Sequence, residues 1–227
     1  MDGQTAVVLG STGLIGKQLL QLLLIDPSFP RVRILVRRPS EIIHPKLETM
    51  IVDFDNTDDL RVKTGKGNCI FCCVGTTMKK VSGDKAAYRK IDHDIPLNTA
   101  RIGLENGFTK YLLVSSVGAS ATASNFYLQL KGLVEKEISA LPYESIHVFR
   151  PSILLGKRNE FRMGEEIGKE AMQLFSFLLA GKWRKYKPIQ SSQVARAMVA
   201  AAKSNEKGVM VHEYDGLKQL SAVSGEQ

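Results

Sequence analysis

Two tyrosines in this 227-residue chain are followed four positions later by a lysine: Tyr127 by Lys131, and Tyr214 by Lys218. Residues i and i+4 share one face of a helix. A phenol beside an ammonium is a device for proton transfer. A free Tyr titrates near 10, too high for work near neutrality, and a neighbouring positive charge lowers that value. Chance alone supplies about 0.5 such pairs at ordinary composition, so position has to separate the two. Tyr127 comes eleven residues after Ser116, and Ser115-Ser116 closes the apolar run Tyr111–Val114. A serine hydroxyl at a strand end is suited to hold a carbonyl oxygen while the phenol protonates it. The Tyr214 pair encloses Gly216, follows no serine-rich strand end and is set aside. The competing reading of Tyr127 is an aromatic on a helix surface.

The hydride for such a reduction has to come from elsewhere, and the N-terminus offers a place for its carrier. Gly10-Ser11-Thr12-Gly13-Leu14-Ile15-Gly16 joins the apolar run Thr5–Leu9 to a helical pattern over Leu14–Ile25. Gly10 allows the tight turn, Gly13 lets a pyrophosphate approach the backbone, and Gly16 lets the helix pack closely. The helix N-terminus presents free amides and a partial positive charge to phosphate. All seven residues of the turn are therefore expected at a dinucleotide, with a plain structural turn as the alternative.

An acid after the second strand, which would hold a ribose 2′-hydroxyl in an NAD site, is missing. The sequence there reads Val36-Arg37-Arg38-Pro39. A guanidinium suits a 2′-phosphate, so NADP(H) is expected over NAD(H), with Arg37 first and Arg38 second. Two solvated surface arginines are the alternative. Asp53 either faces the adenine edge or caps a turn. Val74-Gly75-Thr76 ends the fourth strand, where Gly75 would let the backbone pass close to the cofactor or simply turn. Lys131 is expected to serve twice, beside Tyr127 and on the nicotinamide ribose.

These residues need a frame. Short apolar runs at Thr5–Leu9, Val32–Val36, Thr49–Val52, Cys69–Val74, Tyr111–Val114, Ile146–Phe149 and Val209–His212 read as strands. Helical patterns span Leu14–Ile25, Asp84–Asn106, Asn125–Ala140, Gly164–Ala180 and Ser191–Ser204. Asp84 is an N-cap, Asn106-Gly107 a stop, and Pro96 should kink or split its helix. Continuous apolar strands alternating with helices imply an α/β fold with a doubly wound parallel sheet covered on both faces. Ligands then sit at the carboxyl ends of the strands, where nearly every candidate above falls. One domain over 1–227 is expected, with a lid-like, substrate-covering segment at about 155–188.

Composition narrows the rest. The chain is 44% hydrophobic and 24% charged, as globular proteins are, which excludes a disordered chain, a collagen or a coiled coil. The net charge of +8 comes from basic residues scattered in short runs without interleaved aromatics. Anionic small molecules explain it better than nucleic acid. No apolar stretch approaches the roughly 20 residues of a membrane span, and no basic start precedes an apolar run, so a cytoplasmic location is expected and no membrane partner. Cys69, Cys72 and Cys73 include a C-x-x-C but no second pair. A buried strand is expected there rather than a metal or redox site.

The chain resembles the atypical short-chain dehydrogenase/reductases, which have an NAD(P)-binding Rossmann domain. Within them it is most similar to the Tat-interactive-protein type and its bacterial relatives. The resemblance runs from about residue 4 to about residue 200. It rests on Val8–Gly16, Cys73-Val-Gly-Thr-Thr77, Leu113-Val-Ser-Ser-Val-Gly-Ala119, Ser124-Asn-Phe-Tyr-Leu-Gln-Leu-Lys-Gly132 and Val148-Phe-Arg-Pro-Ser152. It implies Ser116, Tyr127 and Lys131 as the catalytic set, and cofactor contacts at Ser115 and near Pro151 and Ser152. It also implies NADP(H). Two departures stand out. The typical Asn-Asn-Ala-Gly is Cys-Cys-Val-Gly here. The typical Asn behind the lysine is missing from Ile91-Asp92-His93-Asp94; Asp92 or His93 could serve the relay behind Lys131 in its place, but a solvated helix face is expected for both.

The sequence therefore points to an NADP(H)-dependent reductase of a small carbonyl compound. A non-catalytic NADPH-binding regulator with a protein partner, and a sugar-nucleotide epimerase or dehydratase, are the alternatives. The short region after Pro151 argues against a large substrate. The oligomeric state, monomer or homodimer, is left open.

Overall fold

The structure, a computed structural model, describes residues 4–156 and 181–223. Seven strands carry the frame: β1 (Thr5–Leu9), β2 (Arg31–Val36), β3 (Leu47–Ile51), β4 (Cys69–Cys72), β5 (Lys110–Val114), β6 (Ser145–Phe149) and β9 (Gly208–His212). They form one all-parallel sheet in the order β3-β2-β1-β4-β5-β6-β9. The strand order reverses between β1 and β4, and their last residues are in register, Leu9 beside Cys72. That crevice is where open α/β sheets bind ligands.

Parallel strands need both faces covered. One face packs Val8, Phe71 and Phe149 against α1 (Leu14–Ile25) and α6 (Ser191–Lys203), with α7 (Tyr214–Val223) beside α6. The other packs Val7, Ile70 and Val148 against α4 (Ile95–Glu105) and α5 (Phe126–Ser139), with α2 (Thr57–Thr64) beside α4. Leu19, Leu20 and Leu23 of α1 are buried, each worth about 1.5–3 kcal/mol relative to exposure.

The helix expected over Leu14–Ile25 has those bounds, and the seven strands lie within a few residues of their expected positions. Two helices escaped the sequence reading. α2 is a polar octamer with little apolar pattern, started by Asn56, whose side chain accepts from the Asp58 and Asp59 amides. α7 carries Gly216 in its first turn, which weakened its helical pattern. The helix expected over Asp84–Asn106 is three pieces: α3 (Lys85–Arg89), a π-turn (Lys90–Asp94) and α4. Pro96 has no N–H for the carbonyl four residues back, and the widened turn just before it lets Ile95 N–H reach the Lys90 carbonyl instead. Asp84 does cap α3, and Gly107, at φ +87°, ends the last piece.

β4 is buried along its length, and burial pushes the Cys69 thiol up to about 12, which suits the strand reading of the cysteine cluster. The expected helix Gly164–Ala180 and residues 157–180 of the expected lid lie outside the described residues. The flanks of that segment meet: β7 (Leu154–Leu155) pairs in parallel with β8 (Ile189–Gln190). Among the described residues no helix is long and apolar enough to cross a membrane.

Candidate active site

The glycine turn shows three distinct demands. Gly10 has φ +75°, and a Cβ there would sit 2.5 Å from the Cys73 carbonyl oxygen at the end of β4. A Cβ on Gly16 would sit 2.1 Å from the Gly10 carbonyl oxygen, so the helix is pressed onto the turn itself. A Cβ on Gly13 would find only backbone oxygens, at 3.2 Å (Gly10) and 3.9 Å (Cys73). Its surroundings are otherwise open. α1 begins at Leu14 with no side-chain cap and no acid in its first turn, so its leading amides face that open space without competition from an anionic side chain. Ser11 and Ile15 are buried, Thr12 is exposed, and Leu14 lies against Gly156 beyond β7.

Arg37 and Arg38 follow β2 directly, are exposed and have no hydrogen-bond or ion-pair partner among the described residues. Asp53 lies on the same rim. Its carboxylate accepts from the Asp55 amide at 3.0 Å, the turn-capping geometry. At the other end of the rim, Ser115 N–H donates to Phe149 O at 2.7 Å, and Val117 N–H donates to Pro151 O at 3.0 Å. These bonds tie the loops after β5 and β6 together. Ser115 Oγ is buried with no hydrogen-bond partner among the described residues. The half-buried Ser116 hydroxyl makes a single long contact, 3.4 Å to Val117 O. Ser152 Oγ donates to the Lys187 carbonyl.

α5 brings Tyr127 and Lys131 to this edge. Asn125 starts the helix, accepting from Leu128 N–H at 3.1 Å. Gly132 then lets the helix touch the loop after Ser116: a Cβ there would be 2.1 Å from the Ser120 carbonyl carbon. Tyr127 is half-buried. Lys131 is buried, and its Nζ lies 3.0 Å from Asp92 Oδ1. Burial alone pushes the lysine down. The Asp92 carboxylate, the Tyr127 phenol and the Asp92 hydrogen bond outweigh it, and the ammonium is held above its ordinary range. The second Asp92 oxygen accepts from Thr76 N–H at 2.7 Å.

No family model matches the chain. It is similar to HTATIP2 of Rattus norvegicus, 31% identical over 202 residues that span 88% of this chain and 81% of that protein. It is equally similar to FMP52 of Coccidioides immitis, named mitochondrial, 31% identical over 237 residues, 97% of this chain and 93% of the relative. The chain belongs to the HTATIP2/FMP52 family. Among solved structures it shares its fold with MoeE5 in complex with UDP-glucose and NAD, at a TM-score of 0.68 and 15% identity, covering 97% of this chain and 82% of that one. The chain thus has the Rossmann-like α/β fold of that NAD-bound neighbour.

Within this HTATIP2/FMP52 family member, two expectations are corrected. Asp92 and His93 do not lie on a solvated helix face: they are 0% and 2% exposed. The π-turn rotates Asp92 toward Lys131, while His93 bonds Asp94 at 2.8 Å and Glu137 at 3.1 Å. The expected cytoplasmic location is overturned by several FMP52 relatives being named mitochondrial. Lack of an apolar span or a secretory start bears on membranes and export, not on entry into mitochondria. The sequence reading also missed Gly132, whose signal was a small residue one position after the lysine.

Proposed function

We propose that this HTATIP2/FMP52 family member is an oxidoreductase that uses NADP(H) to reduce a small carbonyl compound. The observation that carries this reading is the meeting of Tyr127 and the buried, charged Lys131 at the sheet edge that also holds the open face of Gly13. The turn Gly10–Gly16 would hold the pyrophosphate and Arg37, with Arg38, the 2′-phosphate. Val74, Gly75, Thr76, Ser115, Pro151 and Ser152 would line the nicotinamide half, and Asp53 the adenine rim. When bound, the reduced nicotinamide supplies hydride. Ser116 Oγ donates a hydrogen bond to the substrate oxygen, and the Tyr127 hydroxyl gives its proton to that oxygen as it becomes an alcohol. The Lys131 ammonium stabilises the phenolate left behind. The names of the FMP52 relatives support a mitochondrial setting for this chemistry.

Calorimetry should detect NADPH binding, with Arg37→Ala weakening NADPH about tenfold and NADH little, as loss of one charge-assisted bond implies. Tyr127→Phe should keep NADPH binding and lower NADPH oxidation across a carbonyl panel by about 100-fold or more. Unchanged oxidation in that variant overturns the mechanism. Tight NADPH binding by a wild-type protein that oxidises none of it would instead identify a regulator.

A further inference from the structure

The reductase reading uses three side chains, yet the most buried ionised group at the site is a fourth. Asp92 is 0% exposed, with Lys131 Nζ 3.0 Å from one oxygen and the Thr76 amide 2.7 Å from the other. A carboxylate is kept in such a place only if its charge is matched, because an unpaired buried charge is very costly. The same holds for the ammonium, which side-chain exposure of 5% leaves with little water.

Among the described residues no other carboxylate forms an ion pair with Lys131. Cys72 of β4 lies near both groups, and burial holds its thiol up. Tyr111 of β5, beside Cys72, is held well above its ordinary range by burial. Tyr88 of α3 donates to the Thr76 carbonyl at 3.3 Å. Tyr127 of α5 is the remaining titratable neighbour of Lys131. The adjacent His93 is turned toward Asp94 and Glu137. The local backbone also serves this one contact. Asp92 sits in the π-turn ahead of Pro96, an insertion often found where a helix must aim a functional group.

We propose that Asp92 is a positioning residue of the site, an anion fixed by the Thr76 amide that holds the Lys131 ammonium charged and in place beside Tyr127. The inference rests on the reductase reading for its purpose, but its geometry links three elements whatever the substrate: the loop after β4 through Thr76, the π-turn through Asp92, and α5 through Lys131 and Tyr127. An asparagine could accept the Thr76 hydrogen bond equally well. It could not supply the charge, so the role is separable from shape.

The test follows the Lys131 side chain by NMR with lysine labelled at Cε and Nζ, the signal assigned by its loss in Lys131→Met. In the wild type, Lys131 should titrate above the ordinary lysine range. In Asp92→Asn its midpoint should fall by about two units, and in Asp92→Glu it should return most of the way. The alkaline limb of NADPH oxidation should move to lower pH in Asp92→Asn and be restored in Asp92→Glu. A wild-type Lys131 that titrates below the ordinary lysine range, or an Asp92→Asn variant with an unmoved midpoint, overturns the inference. The wild-type arm decides even if the asparagine variant does not fold. Because the signal is read without substrate, a failed reductase reading leaves this result standing, and the converse.

Discussion

His147 Nδ1 lies 2.9 Å from His212 Nε2 across the β6–β9 pair, and the two imidazoles stack with centroids 5.2 Å apart. His147 is fully buried, and its other nitrogen meets Ser145 Oγ at 3.0 Å. Burial first, then His212 and Lys110, lower its titration to about 4, and burial lowers His212 as well. A shared proton between the rings needs at least one of them neutral, and a second charge would repel the first.

This gives stability a defined pH dependence. The unfolded chain binds a proton at His147 near 6.5 and the folded chain only near 4, so between those values the unfolded state binds more protons and stability rises with pH. The contribution is complete above about 6.5 and is lost as pH falls toward 4. We expect a loss of about 2 kcal/mol between pH 7.5 and 4.5 from this pair, read as urea midpoints. His147→Gln should flatten that part of the profile. An unchanged pH slope in the variant would assign the acid sensitivity to the carboxylates alone.

The last two glycines of the Gly10–Gly16 segment should fail differently. Gly16→Ala drives a methyl into the Gly10 carbonyl, backbone that cannot step aside, and should lower stability by about 1–3 kcal/mol. Gly13→Ala meets the Gly10 oxygen at 3.2 Å and the Cys73 oxygen at 3.9 Å, so the protein should fold with nearly unchanged stability and lose NADPH affinity. Thermal melts with and without NADPH separate the two. A Gly13→Ala protein with full NADPH affinity would remove the pyrophosphate from this position.

The Glu135–Arg150 pair anchors the start of the Pro151-Ser152 loop to α5. Arg150 Nε donates to both carboxylate oxygens, at 3.1 and 3.2 Å, with Glu213 3.9 Å away. The Glu135 hydrogen bond outweighs partial burial and holds Arg150 above its ordinary range. Glu135→Leu should cost about 3 kcal/mol, because the half-buried guanidinium loses its main partner. The double variant Glu135→Leu/Arg150→Leu should recover part of that in equilibrium denaturation. A single variant within 0.5 kcal/mol of wild type, about the spread of surface changes, would mean the pair contributes no net stability.

Much of the site was readable along the chain because its demands are local. The spacing Gly10, Gly13, Gly16 encodes a strand, a tight turn and an uncapped helix within one short segment, and Tyr127 and Lys131 need only one helical turn to share a face. Asp84 and Gly107 signal helix ends for the same reason. Asp92 was weighed and placed in solvent because its neighbours, Lys90, His93 and Asp94, have the composition of an exposed helix face. Its burial depends on a π-turn forced by Pro96 and on a lysine 39 positions away. α2 and α7 were missed because their stability comes from packing beside α4 and α6 rather than from their own patterns.

The sequence alone determined that the central strands are parallel and buried, that a helix begins at Leu14 within a run of three spaced glycines, and that a phenol and an ammonium share a helix face. Each follows from hydrophobic period, φ preference or residue spacing, which act over a few residues. Only the tertiary structure decided that Asp92 faces Lys131, that His147 meets His212 and that Gly132 presses α5 onto the Ser120 loop. Those pairings depend on which surfaces the sheet order brings together, and the free energy of a buried charge or a close backbone contact exists only after that assembly.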